Sequence, residues 1–195
     1  MYFVFKRFYD VICCLLLYIL LLPLFIVISI LIKIESRGPV YFKQKRVGRL
    51  NSHFYILKFR TMREDAPKDM PTHLLKNPEL YITKIGKFLR KTSLDELPQL
   101  LNIIKGDMSI VGPRPALWNQ YDLISARDRA NINKLYPGLT GLAQVMGRDE
   151  LPIPVKVKYD IEYAKNLSFS SDLRILFLTI KNVLSSKGVK EGGVK

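Results

Sequence analysis

The chain has 195 residues, of which 48% are hydrophobic, and a formal net charge of +14. This length fits one ordinary domain that buries about two thirds of its unfolded surface and folds without disulfides or structural metals. Cys13 and Cys14 are adjacent in an apolar run, which argues against a disulfide framework and favours a reducing compartment. His53 and His73 lack the spaced partners of a zinc site and are interpreted as surface residues. The sequence also lacks the glycine-rich fingerprints of dedicated nucleotide-binding folds.

The first element is an uncharged apolar run over residues 11–32. As one helix it would reach about 33 Å, enough to cross the hydrocarbon core of a bilayer. Pro23 removes a helical hydrogen bond in the middle and divides the run into 11–22 and 23–32, each too short to span alone. Lys and Arg flank both ends, and both flanks therefore favour the cytoplasmic side, which supports a re-entrant hairpin. A kinked spanning helix is the alternative, which the residues alone leave open.

Two extended runs follow, PVYFKQKRV and HFYILKFRT, and the turn residues GRLNS between them predict a β-hairpin over residues 39–61. Residues 33–91 carry fifteen Lys or Arg and five acids, which amounts to +10 of the total charge. This part of the chain therefore faces an anionic partner. Nucleic acid, acidic lipid head groups and phosphorylated small molecules would all satisfy such a field, so charge alone does not choose among them.

Two further helices are predicted. Residues 63–78 are polar and contain proline, which indicates a loop, and residues 79–91 then show the spacing of a basic amphipathic helix. Near the carboxyl end, a start at Ser171 or Asp172 and a stop at Gly188 predict a helix with a broad apolar face. That face suits either the protein core or the membrane interface.

The stretch TSLDELPQL holds two adjacent acids in this basic chain. Ser93 and Glu96 have the spacing of a capping box, which would be a purely structural role. Pro98 favours Asp95 as the N-cap instead, since the missing N–H then falls at the third helical position, and a helix over 96–105 follows. Either cap puts both carboxylates at the positive end of a helix dipole, which keeps them ionised. Such a carboxylate can attack phosphorus or hold a divalent cation.

Arg114 lies between Pro113 and Pro115 in GDMSIVGPRP, residues 106–115. The flanking prolines restrict the backbone, so this guanidinium is ready to bind a phosphate with little further loss of entropy. A rigid turn with a solvated arginine is the alternative interpretation. We interpret the glycines of residues 136–148 as turns.

The ordered series of motifs resembles the bacterial monotopic phosphoglycosyl transferases, the initiating sugar transferases of glycan assembly. It consists of FKRFYD before the broken apolar run, GPVYFKQKRVG, FYILKFRTM, SLDELPQLLNIIKGDMSIVGPRP and PGLTGLAQV. The resemblance covers about residues 6–184 and is nearest to the small, PglC-like members made of the catalytic unit alone. It implies a mixed α/β, mainly helical fold, with a proline-broken re-entrant membrane helix in residues 1–35. Residues 36–195 would form a small cytoplasmic catalytic domain with a β-hairpin and interfacial amphipathic helices, on the cytoplasmic face of the bacterial inner membrane.

The resemblance also implies the chemistry: transfer of a sugar 1-phosphate from a UDP-sugar to undecaprenyl phosphate, with Mg²⁺ and release of UMP. Asp95 matches the nucleophile that forms a covalent phosphosugar intermediate, and Glu96 is assigned to metal positioning or proton handling, so both are candidate metal ligands. Arg90 and Arg114 match phosphate-binding arginines. Further candidates for substrate contacts, or for bracing the membrane hairpin, are Lys58, Arg60, Asp160 and Tyr163.

One position departs from the family pattern. The small members carry Ser-Pro at the helix break, whereas this chain has Leu22-Pro23, so the serine that could bond a freed carbonyl is missing. The alternative function is a non-enzymatic, membrane-anchored module that binds anionic lipid or nucleic acid through its basic surface. The sequence does not identify the sugar, and a homodimer is expected only from the frequency of C2 dimers.

Overall fold

The computed structural model describes residues 2–67, 77–147 and 151–184. Helices dominate this part of the chain and are accompanied by two strands of seven residues and two of three, which confirms the predicted mixed, mainly helical fold class. In chain order the elements are α1 (Tyr2–Leu20), α2 (Leu22–Glu35), β1 (Tyr41–Val47), β2 (His53–Phe59), α3 (Lys84–Thr92), α4 (Gln99–Lys105), β3 (Ser109–Val111), α5 (Tyr121–Arg129), β4 (Gly138–Thr140), α6 (Leu142–Met146), α7 (Ile153–Lys165) and α8 (Phe169–Leu184).

Helices α1 and α2 form a bent pair, with an angle of 62° between them. The break lies at Leu21, and Pro23 occupies the first turn of α2, where its missing N–H costs no helical bond. Within the described residues, neither helix alone has the length and apolarity to cross a bilayer, whereas the pair together does. Helix α1 starts at Tyr2, well before the apolar run. The charged residues that precede the run therefore belong to the same helix.

The predicted β-hairpin is confirmed. β1 and β2 pair antiparallel, with Tyr41 opposite Phe59 and Val47 opposite His53. His53 is exposed, as expected, while His73 lies outside the described residues. A second, parallel pair joins β3 to β4.

Residues 136–148 are not simply turns, since β4 and α6 lie within them. The glycines allow close packing: a Cβ atom on Gly138 would lie 2.2 Å from the backbone N of Gly112. The parallel pairing of β3 with β4 therefore depends on glycine at these positions. Because each strand has only three residues, the sequence carries no periodic signal for it.

Two helix starts differ from the prediction. Helix α3 begins at Lys84 rather than at residue 79, because Thr83 caps it by accepting a hydrogen bond from the Gly86 N–H at 2.9 Å. Residues Pro78–Leu80 form a separate 3₁₀ turn. Helix α8 begins at Phe169, before the predicted Ser171 or Asp172, and the predicted stop at Gly188 lies outside the described residues.

The inner faces of α1 and α2 pack onto the rest of the molecule. Cys14 of α1 belongs to a buried cluster with residues of β2 and α4, namely Phe54, Ile56, Leu100, Ile103 and the following Met108. Phe25, Ile28 and Ile32 of α2 pack against Phe59 and Leu89. The division into residues 1–35 and 36–195 stays a prediction.

The outer faces of the same two helices are apolar and exposed. The most exposed of these side chains, each with more than half of its surface accessible, are Val4, Phe5, Phe8, Leu16, Ile19, Leu20, Ile26, Val27, Ile30 and Ile34. An apolar surface of this extent on a protein is unusual unless something covers it.

The end of α2 is joined directly to the start of α3. The carboxylate of Glu35, the last residue of α2, accepts hydrogen bonds from the backbone N–H groups of Lys84 and Ile85 at 2.6 and 2.9 Å. These N–H groups belong to the first turn of α3, which has no helical partner for them. Glu35 therefore fixes the amino end of α3 to the carboxyl end of the apolar helix pair.

Candidate active site

Asp95 and Glu96 lie in a single 3₁₀ turn, Leu94–Glu96, between α3 and α4. The predicted helix over 96–105 begins only at Gln99, and within the described residues neither Ser93 nor Asp95 makes a side-chain cap. The reason is that Ser93 ends α3 instead. It adopts a left-handed conformation with φ of 58°, and its N–H bonds the carbonyl of Arg90 at 3.2 Å.

Cations from two other elements surround the two acids. Lys58 of β2 places its Nζ atom 2.6 Å from Oε1 of Glu96 and 4.0 Å from Oδ2 of Asp95. Arg114 places Nη2 3.2 Å from the same Glu96 oxygen. We call the residues Lys58, Arg90, Asp95, Glu96 and Arg114 the carboxylate corner. It brings together five of the predicted site residues, although their catalytic roles stay predictions.

The two neighbouring acids differ in their electrostatics. Burial raises the pKa of the Asp95 carboxyl, Lys58 opposes this rise, and the charge of Glu96 adds to it. Burial would also raise the pKa of Glu96, but Lys58 and Arg114 outweigh it through their charges and hydrogen bonds and hold that pKa well below its usual range. Glu96 is therefore ionised, while the negative charge of Asp95 is held at a cost, so the two acids differ in how strongly their surroundings favour the charged form.

Arg90 enters the carboxylate corner from the last turn of α3. Its Nε donates to Oγ1 of Thr61 at 2.8 Å, and its charge lowers the pKa of Asp95. Thr61 in turn contacts α3 at Gly86, where a Cβ atom would lie 2.0 Å from the Thr61 carbonyl oxygen. The glycine therefore lets α3 approach closely enough for Arg90 to reach Thr61.

Arg60 does not point at the acids. Its guanidinium donates to the backbone carbonyls of Arg37 and, at 2.8 Å, of Ser36, just beyond the end of α2. Gly38 has a φ of 117° and leaves the space that this guanidinium fills. Of the two roles considered from the sequence, the contacts of Arg60 match the bracing of the helix pair.

Asp160 and Tyr163, both on α7, lie in different networks. Arg127 of α5 donates its Nε–H to Oδ2 of Asp160 at 2.9 Å, and its Nη2 atom forms an ion pair with the same oxygen at 2.7 Å. Burial raises the pKa of Asp160 and the charge of Arg127 opposes that rise. Tyr163 is 2% exposed and donates to Oδ1 of Asp172 at 2.8 Å. Neither side chain contacts the two acids of the carboxylate corner in the described residues.

Asp172 connects α8 to the start of α1. Its Oδ2 accepts from Lys6 Nζ at 2.5 Å and from the Tyr2 hydroxyl at 2.7 Å. Asp10, one turn after Lys6, accepts from the Ser109 hydroxyl at 2.5 Å. Tyr163 therefore belongs to a buried polar network that holds α1 in place. The sequence offered one signal for it, a Lys and an Asp four residues apart at the edge of an apolar run.

The carboxylates of Asp95 and Glu96 are of the chemical type that can hold Mg²⁺. In proteins Mg²⁺ is usually held by one or two carboxylates, with water and substrate phosphate oxygens completing the octahedron. No cluster of three or more His, Cys, Asp or Glu side chains suited to a metal occurs in the described ranges. A two-carboxylate site would thus take its remaining ligands from water and phosphate.

Arg127 is the main residue near this site that sequence reasoning missed. Besides binding Asp160, its Nη1 donates to the backbone carbonyl of Arg114 at 2.7 Å. It lies in a charge-rich helix, SARDR, in which no local pattern distinguishes it from Arg129. Only the tertiary arrangement of α5 and α7 identifies it.

Comparison with known proteins agrees with the motifs. A family model described as bacterial sugar transferase matches residues 1–186. The exopolysaccharide production protein ExoY of Sinorhizobium fredii is 39% identical over 197 residues, which cover 94% of this chain and 87% of that protein. The UDP-glucose:undecaprenyl-phosphate glucose-1-phosphate transferase of Klebsiella pneumoniae is 40% identical over 184 residues, 91% of this chain and 39% of that protein. The chain therefore belongs to the bacterial sugar transferase family, the family of initiating sugar transferases that its ordered motifs predict.

Proposed function

We propose that this enzyme transfers a sugar 1-phosphate from a UDP-sugar to undecaprenyl phosphate through a covalent intermediate on Asp95, with release of UMP. The observation that carries the proposal is the carboxylate corner. There the charges of Lys58, Arg90 and Arg114 all lower the pKa of one largely buried carboxylate, Asp95. A nucleophile that attacks an anionic phosphorus needs such cations around it. The name of the relative from Klebsiella pneumoniae supports the donor and acceptor classes.

The reaction has two steps. A carboxylate oxygen of Asp95 attacks the β-phosphorus of the UDP-sugar. The Asp95 oxygen–phosphorus bond forms while the bond from this phosphorus to the bridging oxygen breaks, and UMP leaves with that electron pair. A phosphate oxygen of undecaprenyl phosphate then attacks the same phosphorus, and the bond to Asp95 breaks, which restores the carboxylate.

Each residue of the carboxylate corner has a part in these steps. Arg90 and Arg114 hold the phosphate oxygens, and Lys58 keeps Glu96 ionised and in place. Bound Mg²⁺, held by Asp95 and Glu96, would screen the negative phosphates from the attacking carboxylate. Glu96 would contribute its negative charge to that ion, while Lys58 and Arg114 bind its Oε1 atom.

We also propose that the bent pair α1–α2 enters the membrane as a re-entrant hairpin, at the cytoplasmic face of the inner membrane. The exposed apolar faces of both helices and the 62° bend support this proposal. The lipid phosphate lies at the membrane surface and the nucleotide sugar arrives from the cytoplasm, so the carboxylate corner would lie at this boundary.

The test of the chemistry uses Asp95→Asn, purified in detergent with native lipids. The parent should release UMP from at least one member of a panel of UDP-sugars, and a labelled phosphosugar should be recovered on Asp95. UMP release by Asp95→Asn at the parent rate would disprove the nucleophile assignment. If Asp95 and Glu96 were dispensable and binding to anionic vesicles fell steeply with salt, the chain would be a charge-driven binding module instead.

The topology has a separate test. A single cysteine is introduced at Tyr2 after Cys13 and Cys14 have been replaced, and intact cells are treated with a thiol reagent that does not cross the inner membrane. A re-entrant hairpin keeps this cysteine unlabelled until the membrane is opened. Labelling in intact cells would show a spanning helix.

A further inference from the structure

The segment Pro113–Ala116 is held through hydrogen bonds to its backbone carbonyl oxygens. Prolines 113 and 115 have no N–H group, so at these positions the backbone can be fixed only through its carbonyl oxygens. All four consecutive carbonyls accept a hydrogen bond. The donors are Gly138 N to Pro113 at 2.9 Å, Arg127 Nη1 to Arg114 at 2.7 Å, Arg46 Nη1 to Pro115 at 3.0 Å, and Val47 N to Ala116 at 2.9 Å.

The bond to the Arg114 carbonyl comes from a side chain that is itself held by a second partner. Arg127 is bound through Nε and Nη2 to Asp160, and their side chains are only 11% and 2% exposed. A guanidinium is planar, so two atoms fixed on one carboxylate determine where the third nitrogen points. The buried pair therefore sets the position of the Arg114 carbonyl.

Carbonyl and guanidinium of Arg114 face different partners. The carbonyl receives Arg127, while the guanidinium reaches Oε1 of Glu96 at 3.2 Å. A displacement of the backbone at Arg114 would move the base of its side chain relative to the acids. Misplacement of a substrate-holding group by about 1 Å can cost on the order of 100-fold in rate.

We propose that Arg127, fixed by Asp160, is a positioning residue that acts through Arg114 to place its guanidinium for phosphate binding. This inference rests on the proposed function, in which Arg114 holds a phosphate of the substrate. In this proposal Arg127 acts through Arg114 rather than by binding the substrate itself. Asp160 then acts on Arg114 through two successive contacts, which gives this acid a role that its place in the sequence could not reveal.

The test is a double-mutant cycle on kcat/KM for UMP release. In the parent background Arg127→Ala should lower kcat/KM by about 10- to 100-fold. In an Arg114→Ala background the same change should lower it by less than about twofold, because the group that it positions is already gone. Arg129→Ala is the matched control, since Arg129 is exposed on the same helix and should leave the rate at the parent value.

A purely structural role of Arg127 predicts a different result. Its removal would then lower the rate by the same factor in both backgrounds, and such multiplicative losses would overturn the inference. Parent activity in Arg127→Ala would also overturn it. If Arg127→Ala does not fold, Asp160→Asn takes its place, and its loss should likewise vanish in the Arg114→Ala background. Failure of the proposed function is distinct, because the parent itself would then release no UMP.

Discussion

Lys58 lies 2.6 Å from Glu96 and ties the strand β2 to the turn that carries both acids. The same ammonium group is 4.0 Å from Asp95, beyond direct hydrogen-bonding distance. Two adjacent carboxyls thus receive very different support from one cation. This difference makes their substitutions distinguishable in experiments that do not measure catalysis at all.

Neutralising the two acids should shift stability in opposite directions. Burial raises the pKa of Asp95 in the folded state above its ordinary value. The protonated carboxyl therefore stabilises the fold below the ordinary pKa, and this stability is lost as the pH rises through the folded-state pKa. At pH 7 its charge is therefore a cost. Asp95→Asn should abolish UMP release yet raise the apparent Tm by roughly 2–4 °C for each kcal/mol relieved.

The charge of Glu96 has the opposite effect on the stability of the fold. Its folded-state pKa is lowered, so its charge stabilises the fold above the ordinary pKa of about 4.3, and this contribution is lost as pH falls towards the folded value. Glu96→Gln weakens two charged hydrogen bonds and should lower the apparent Tm by roughly 3–10 °C at pH 7. Thermal scans of both variants in one detergent check this prediction, and equal shifts of the same sign would contradict it.

The pH dependence of UMP release should depend on Lys58. The attacking form of Asp95 is ionised, so kcat/KM should rise with pH along an acid limb set by its pKa. Lys58 lowers that pKa, so Lys58→Met should move the limb to higher pH. Lys91→Met, at an exposed position in the last turn of α3, is the control and should leave the limb in place. A lower plateau with an unmoved limb would mean that Lys58 only binds phosphate.

Gly86→Ala should damage the site from a distance. The added Cβ would meet the Thr61 carbonyl oxygen at 2.0 Å, and a backbone oxygen cannot move aside. Helix α3 would have to shift and take Arg90 away from Thr61. We expect kcat/KM to fall at least about tenfold and stability by about 1–3 kcal/mol. Lys91→Ala controls for substitution on the same helix, and a Gly86→Ala enzyme with parent Tm and rate would show that the contact is unimportant.

Glu35→Gln should loosen the joint between α2 and α3. A Gln amide keeps one acceptor oxygen for the two N–H groups of Lys84 and Ile85 and carries no charge for the helix dipole. We expect a loss of about 1 kcal/mol, seen as a lower apparent Tm. Glu79→Gln is the matched control, because Glu79 is also exposed and precedes the same helix. Equal Tm values for both variants would contradict the capping role.

The parts of the fold that depend on neighbouring residues in the chain were predicted from local sequence patterns. The β-hairpin followed from two extended runs around turn residues, and the bend of the apolar run from its proline. The pairing of β3 with β4 could not be predicted, because each strand has three residues and the contact depends on the close approach of Gly112 and Gly138. Similarly, Ser93 fitted a helix start by spacing, but its left-handed conformation ends α3 instead.

The acids of the candidate site could be predicted from the sequence. The contacts of the basic residues around them could be predicted much less well. Asp95 and Glu96 are adjacent in the chain, and the resemblance to the family joined Arg114 to them as a phosphate-binding candidate. Arg60 and Lys58 lie two residues apart near the end of β2, yet Lys58 turns to the acids and Arg60 to the end of α2. Arg127 gave no signal, since its two partners are separated from it by 13 and 33 residues.

The bond from Glu35 to the start of α3 also fixes a length. Helix α2 has 14 residues, which corresponds to about 21 Å from the break at Leu21 to this bond. Arg90 and the acids follow within the next turns of the chain. If the hairpin is inserted as proposed, the length of α2 determines the distance of Asp95 from the deepest point of the helix pair. Adding or removing one helical turn in α2 would move the reacting carboxylate by about 5 Å relative to the lipid phosphate.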